Sequence, residues 1–246
     1  MEMAWLALGG FILLAYTLEA ITGFGSIVIA LSLGMLVLPI DMILPILVAL
    51  NIPMSANIAF KNRHFINKAL LFKVILPGML LGTISGYVIK PMINEELLKM
   101  LFGFLIIWFS ARELWRMHNA QTDHARPLLI TRIITYVAGI THGLFASGGP
   151  LLVYAIAGTK IDKSAFRATM VVVWLTMNTL LFVAFLIDGR MQPLLINVAM
   201  YLPLLFIAVK LGNYLHHKLD ENHFKKGIYF LLLLTGLLLI ANKYIQ

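Results

Sequence analysis

The chain has 246 residues, 61% of them hydrophobic and only 12% charged, with a mean hydropathy of +0.91. Soluble domains hold roughly 45–50% apolar and 25% charged residues, so no water-soluble core absorbs this composition. The net charge of +8 comes from basic residues in short stretches between apolar runs, a pattern that orients membrane helices and argues against nucleic-acid binding.

Apolar segments fall at 3–37, 42–60, 69–89, 97–117, 128–158, 166–187, 191–215 and 224–242. About 20 helical residues cross a ~30 Å hydrocarbon layer, and backbone in lipid is satisfied only within helices or closed barrels. Barrel strands alternate apolar and polar residues, whereas Phe102 to Phe109 and Phe230 to Ile240 are nearly unbroken apolar runs. The expected fold is therefore an all-α polytopic membrane protein bound to the lipid bilayer. The first segment has Glu2 and no Lys or Arg before Lys61. It lacks the basic region of a cleavable signal peptide, so Trp5 to Leu18 is expected in the mature fold. Its interior is interrupted by Thr22-Gly23-Phe24-Gly25-Ser26.

The second segment carries Ser55 and Asn57, and the third carries Gly78, Gly82 and Gly86 on one smooth face suited to close helix contact. Trp5, Trp108 and Trp115 fall near segment ends, as interfacial anchors do. The 13 methionines are scattered and read as flexible filler. The fifth segment, like the first, is long and interrupted, here by Ala146-Ser147-Gly148-Gly149-Pro150, and the sixth brings Thr176 and Asn178. Gly25, Asn57, Pro77, Gly86 and Gly103 recur in order as Gly148, Asn178, Pro203, Gly212 and Gly227 at nearly constant offsets, which marks a duplicated unit.

Counting Lys and Arg on each side orients the chain. If all eight segments span, the charges divide almost evenly. If the two interrupted segments enter and leave on one face, only Lys90, Lys99, Arg190 and Lys243 fall on the sparse side, as the positive-inside rule favours. Two inverted repeats follow, 1–120 and 121–246, each a broken re-entrant hairpin (3–37 and 128–158) plus three transmembrane helices.

Non-helical backbone at membrane depth must face protein or a watery cavity, and the half-helix after each break points unpaired N–H groups at it. Two such termini make a candidate anion site. The candidate substrate-binding residues are Thr22, Gly23, Gly25, Ser26, Asn57, His142, Ser147, Gly148, Gly149, Pro150 and Asn178. Glycine pairs in membrane helices also serve close packing, and the two asparagines either lock helices together or line the path. Glu19 and His142 are costly to bury and are candidates for proton coupling. The alternative for Glu19 is a structural hydrogen bond or a watery vestibule.

No cysteine, HExxH, paired His/Asp metal spacing, P-loop or nucleophile elbow occurs, so neither a metal nor a cofactor is expected.

Gly23-Phe24-Gly25-Ser26, the Phe60-Lys61-Asn62-Arg63-His64 loop, Pro77 to Gly86, Gly143 to Pro150 and the Lys163 to Thr169 segment together resemble the TauE/SafE sulfite exporter family over essentially the full length. The resemblance implies a transporter of the cytoplasmic membrane, not an enzyme, whose partner is a small anion of the sulfite or sulfonate class. The rival expectations are an anion channel with the same site, or an intramembrane enzyme using Glu19 and His142.

Overall fold

The structure is a computed structural model that describes residues 2–22, 25–119, 126–156, 159, 161–216 and 221–241. Every long element among them is a helix: α1 (Glu2–Thr22), α2 (Ser26–Gly34), α3 (Ile40–Lys61), the single turn α4 (Lys68–Leu70), α5 (Leu76–Ile89), α6 (Glu95–His118), α7 (Leu128–Phe145), α8 (Gly149–Ile156), α9 (Lys163–Ile187), α10 (Leu195–His216) and α11 (Glu221–Ala241). Among the described residues, six helices are long and apolar enough to cross a membrane, beginning with Glu2–Ala20 and ending with Gln192–Gly212.

Local chemistry sets the boundaries. Asn94 starts α6 by accepting the Leu97 N–H at 2.8 Å, and Asp162 starts α9 by accepting that of Ala165 at 2.8 Å, so each side chain satisfies an N–H that the helix cannot. Glu95 and Glu96 lie in the first turn of α6 and Arg116 and His118 in its last, matching the helix dipole at both ends.

The two interrupted segments are broken hairpins with unequal arms. α1 has 21 residues and α7 has 18, enough to cross the hydrocarbon layer, whereas α2 has 9 and α8 has 8 and reach only about 12–14 Å. The half-helix expected after each break is present in both hairpins, and the arm before each break is of spanning length.

The helices group into two compact units, and each draws on both halves of the sequence. The first comprises Met1–Leu47, Ile93–Gln121 and Pro193–Gln246. In it α1 packs against α2 and α10, and α6 against α11. The Tyr16 hydroxyl donates to the Leu47 carbonyl at 3.2 Å, and that of Tyr201 to the Trp5 carbonyl at 2.8 Å. Gly103 of α6 faces Gly236 of α11, where a Cβ on either would come within 3.1 Å of the other's carbonyl oxygen. Gly227, the counterpart of Gly103 by sequence order, lies in open space.

The second unit comprises Val48–Met92 and Thr122–Gln192. Its backbone is the crossing of α5 with α7. A Cβ on Gly82 would lie 2.1 Å from the Tyr136 carbonyl oxygen, one on Gly86 2.2 Å from that of Ile140, and one on Gly143 2.3 Å from that of Thr83. The glycine face of α5 thus meets a matching glycine face on α7, backbone against backbone. Around this crossing pack Leu71, Ile75, Met79, Ala138, Leu152, Met170 and Met177. At the end of α5, Tyr87 donates to Asp188, and Arg190 Nε donates to the same carboxylate at 2.7 Å. Partial burial opposes ionisation of Asp188, but the hydrogen bonds from Arg190 and Tyr87 outweigh it and hold the carboxyl below its usual value.

Candidate functional site

The bend of the second unit is built by three residues, Ala146 to Gly148, that interrupt the helix. Ala146 adopts a left-handed conformation (φ 49°) and ends α7 with its N–H on the His142 carbonyl at 2.6 Å. Ser147 and Gly148 follow outside any helix, and α8 begins at Gly149. Gly148 sits so tightly that a Cβ would lie 2.4 Å from the Ala138 carbonyl oxygen and 3.1 Å from the His142 Cβ; only glycine lets the chain turn there. Pro150 stands in the first turn of α8, where its missing N–H costs no helical bond.

This bend is lined with polar groups that lack partners. His142 is 0% exposed, Ser147 3% and Asn178 1%. Neither ring nitrogen of His142, nor the Ser147 hydroxyl, nor Asn178 Oδ1 has a hydrogen-bond partner among the described residues. Asn178 stands within reach of the imidazole, yet the geometry leaves both nitrogens without a formed hydrogen bond. The imidazole instead stacks on Trp174 at 6.0 Å between ring centroids and 17° between planes. The Trp174 ring also borders Gly149, 3.7 Å from where a Cβ would project. Buried polar atoms in native proteins are nearly always bonded, so several together without a protein partner mark a surface made for polar contact. The imidazole N–H, the Ser147 O–H and the first amides of α8 are donors, and an anion is what such a set accepts.

Behind the bend, Asn178 Nδ2 donates to Asn51 Oδ1 at 2.8 Å, and the Ser55 hydroxyl donates to the same oxygen at 2.8 Å. Asn57, expected to match Asn178, is exposed and outside this network. Ser55 and Asn57 are two residues apart, about 200° round a helix, so they cannot share a face. Asn51 and Ser55, one turn apart, do. The interval between the starts of α2 and α8, at 26 and 149, and of α3 and α9, at 40 and 163, relates Asn178 to Ser55. Trp174, which sequence reasoning passed over, lies one turn before Asn178 on the same face of α9 and was legible by that spacing.

The first unit has its own bend. Gly25, at φ 99°, precedes α2, and the Ser26 N–H donates to Glu19 Oε2 at 3.3 Å. Glu19 is 4% exposed and Ser26 1%. Gly23 and the Thr22 side chain lie outside the described residues. Of the expected site residues, the structure brings together His142, Ser147, Gly148, Gly149, Pro150 and Asn178 in the second unit, and Gly25 and Ser26 in the first.

Helices of spanning length, two broken hairpins and buried polar groups at their bends define a multi-pass α-helical membrane protein. The chain belongs to the sulfite exporter TauE/SafE family, which it matches over residues 8–239; it is a membrane transporter. It is also similar to the probable inner membrane transporter protein TsaS of Comamonas testosteroni, 25% identical over 170 residues that cover 68% of this chain and 70% of that protein. No solved structure matches it.

Proposed function

We propose that this transporter moves small sulfur oxyanions, sulfite or short organosulfonates, by alternating access, and that the anion binds at the bend between α7 and α8. The carrying observation is the set of four buried polar atoms on His142, Ser147 and Asn178, beside the N-terminus of α8, that have no partner among the described residues. A sulfonate presents three acceptor oxygens on a tetrahedral centre. The His142 N–H, the Ser147 hydroxyl and the amides of Gly149 and Leu151 supply donors, and the helix terminus favours the negative charge. Asn178 Oδ1 orients a donor, either the imidazole or a ligand hydroxyl. A neutral imidazole has one N–H and an imidazolium two, so His142 offers the anion at least one donor.

The inverted-repeat arrangement of 1–120 and 121–246 is part of this proposal. It is supported by the matched helix starts and by matched pairings: α1 with α2 and α10, α7 with α8 and α5. Transporter repeats of this kind place their substrate sites at broken helices.

The test is binding of sulfite and of ethanesulfonate to purified protein, read from the fluorescence of Trp174, with uptake into proteoliposomes. Wild type is expected to saturate. His142→Leu and Ser147→Ala should each lose about 10- to 100-fold in affinity, as a charge-assisted hydrogen bond is worth ~1.5–3 kcal/mol. Unchanged affinity in both variants, or no binding of either anion to wild type, overturns the proposal.

A further inference from the structure

Glu19 and His142 occupy the same station in the two bends. The interval that separates Ser26 from Gly149 and Ile40 from Lys163 also separates Glu19 from His142. Each lies on the long arm of its hairpin, two turns before the short arm begins, and each is buried. Their surroundings differ. The Glu19 carboxylate accepts the N–H of Ser26, the first residue of α2. Among the described residues both nitrogens of His142 lack a partner, as does the neighbouring Ser147 hydroxyl.

A helix N-terminus favours a negative charge within its first turn because its leading N–H groups have no intrahelical acceptor. In the first bend that charge is covalently part of the chain. In the second bend the corresponding residue is a donor, and no acidic side chain stands at the matching position. We infer that Glu19 is a tethered anion, which fills for the α2 terminus, permanently, the role that a transported anion fills for the α8 terminus. Glu19 is then a positioning residue of the first bend, not a ligand of the substrate, and the protein binds one anion per chain. This rests on the proposed anion site at α8.

Two measurements on the full-length protein test it. Calorimetric titration of wild type with sulfite should give one site per chain; two sites overturn the inference. Thermal unfolding should show Glu19→Ala lowered by about 3–6 °C, from loss of a buried charge at a helix terminus. Millimolar formate, a carboxylate without a tether, should restore most of that loss while leaving wild type unmoved. Glu19→Asp, which keeps the charge, should gain little from formate. If Glu19→Ala does not accumulate, the uncharged and isosteric Glu19→Gln reads the same rescue. A formate response no larger in the uncharged variants than in wild type refutes the tethered anion. Absence of sulfite binding to wild type refutes the α8 site instead, and the formate rescue, which uses no sulfite, still decides the role of Glu19.

Discussion

The crossing of α5 and α7 makes a quantitative prediction for Gly82→Ala. Non-bonded carbon atoms settle at about 3.5–4.0 Å, but the new methyl would lie 2.1 Å from the Tyr136 carbonyl oxygen and 2.8 Å from both the Gly139 Cα and the Ile140 N. All three are backbone atoms, so no flexible side chain can yield, and the helices must separate by about 1 Å. Overpacking of this kind costs about 1–3 kcal/mol. Alanine returns at most ~1 kcal/mol of helix propensity, so the clash wins. With three backbone atoms in the way the cost sits at the upper end of that range, a net of about 2 kcal/mol, and the melting temperature in detergent should fall by about 4–8 °C, at ~2–4 °C per kcal/mol for a chain of this size. Because α7 carries His142 and its Ala138 carbonyl abuts Gly148, the same shift displaces the bend, and sulfite affinity should fall as well. Gly10→Ala, where a Cβ meets nothing within 4 Å, is the control and should melt at or above wild type. Equal melting and equal sulfite binding in Gly82→Ala and Gly10→Ala would refute the reasoning.

Three further outcomes are expected. Asn51→Leu should destabilise by about 1–3 kcal/mol, because Ser55 and the Asn178 amide lose their shared acceptor, while Asn57→Ala should stay within about 0.5 kcal/mol; denaturant unfolding of both variants checks this. Folding lowers the Asp188 pKa, so its stabilisation is present above the unfolded carboxyl value and is lost as pH falls through the folded one. Between about pH 5 and pH 3, wild type should therefore lose more melting temperature than Asp188→Asn. Glu113 is buried and bonded by Arg112 and by Arg116, whose Nε donates at 3.1 Å. Its replacement by Leu should cost about 1–3 kcal/mol, because Arg112 loses its partner while Arg116, 40% exposed, is rehydrated, read as a fall in the denaturation midpoint.

Much of the fold was legible because lipid imposes a simple rule. Long apolar runs become helices, and the small polar interruptions at 22–26 and 146–150 fall where the structure breaks them. Arm lengths were less legible: glycine marks where a helix can stop, not how far the preceding helix has run, so α1 and α7 reach spanning length. In the site, His142 and Ser147 were visible as ionisable or polar groups beside a glycine bend. Asn51 was overlooked in favour of Asn57 because matching residue identity between the halves competed with helical phase, and phase decides which side chain faces inward. Glycines told the same lesson: Gly82 and Gly86 find Gly139 and Gly143, a partnership that depends on which helices meet in space, which a linear spacing cannot reveal.

The interleaving of the two units also dictates an order of events at the ribosome. Everything the second unit needs has been synthesised by Gln192, whereas α1 must wait for α10, which begins only at Leu195. At about 5–20 residues per second, α1 spends roughly 10–35 s in the membrane before its principal companion exists. During that interval Glu19 already has its acceptor role fulfilled by Ser26, seven residues downstream. That contact of the carboxylate is thus local to the hairpin and does not wait for α10.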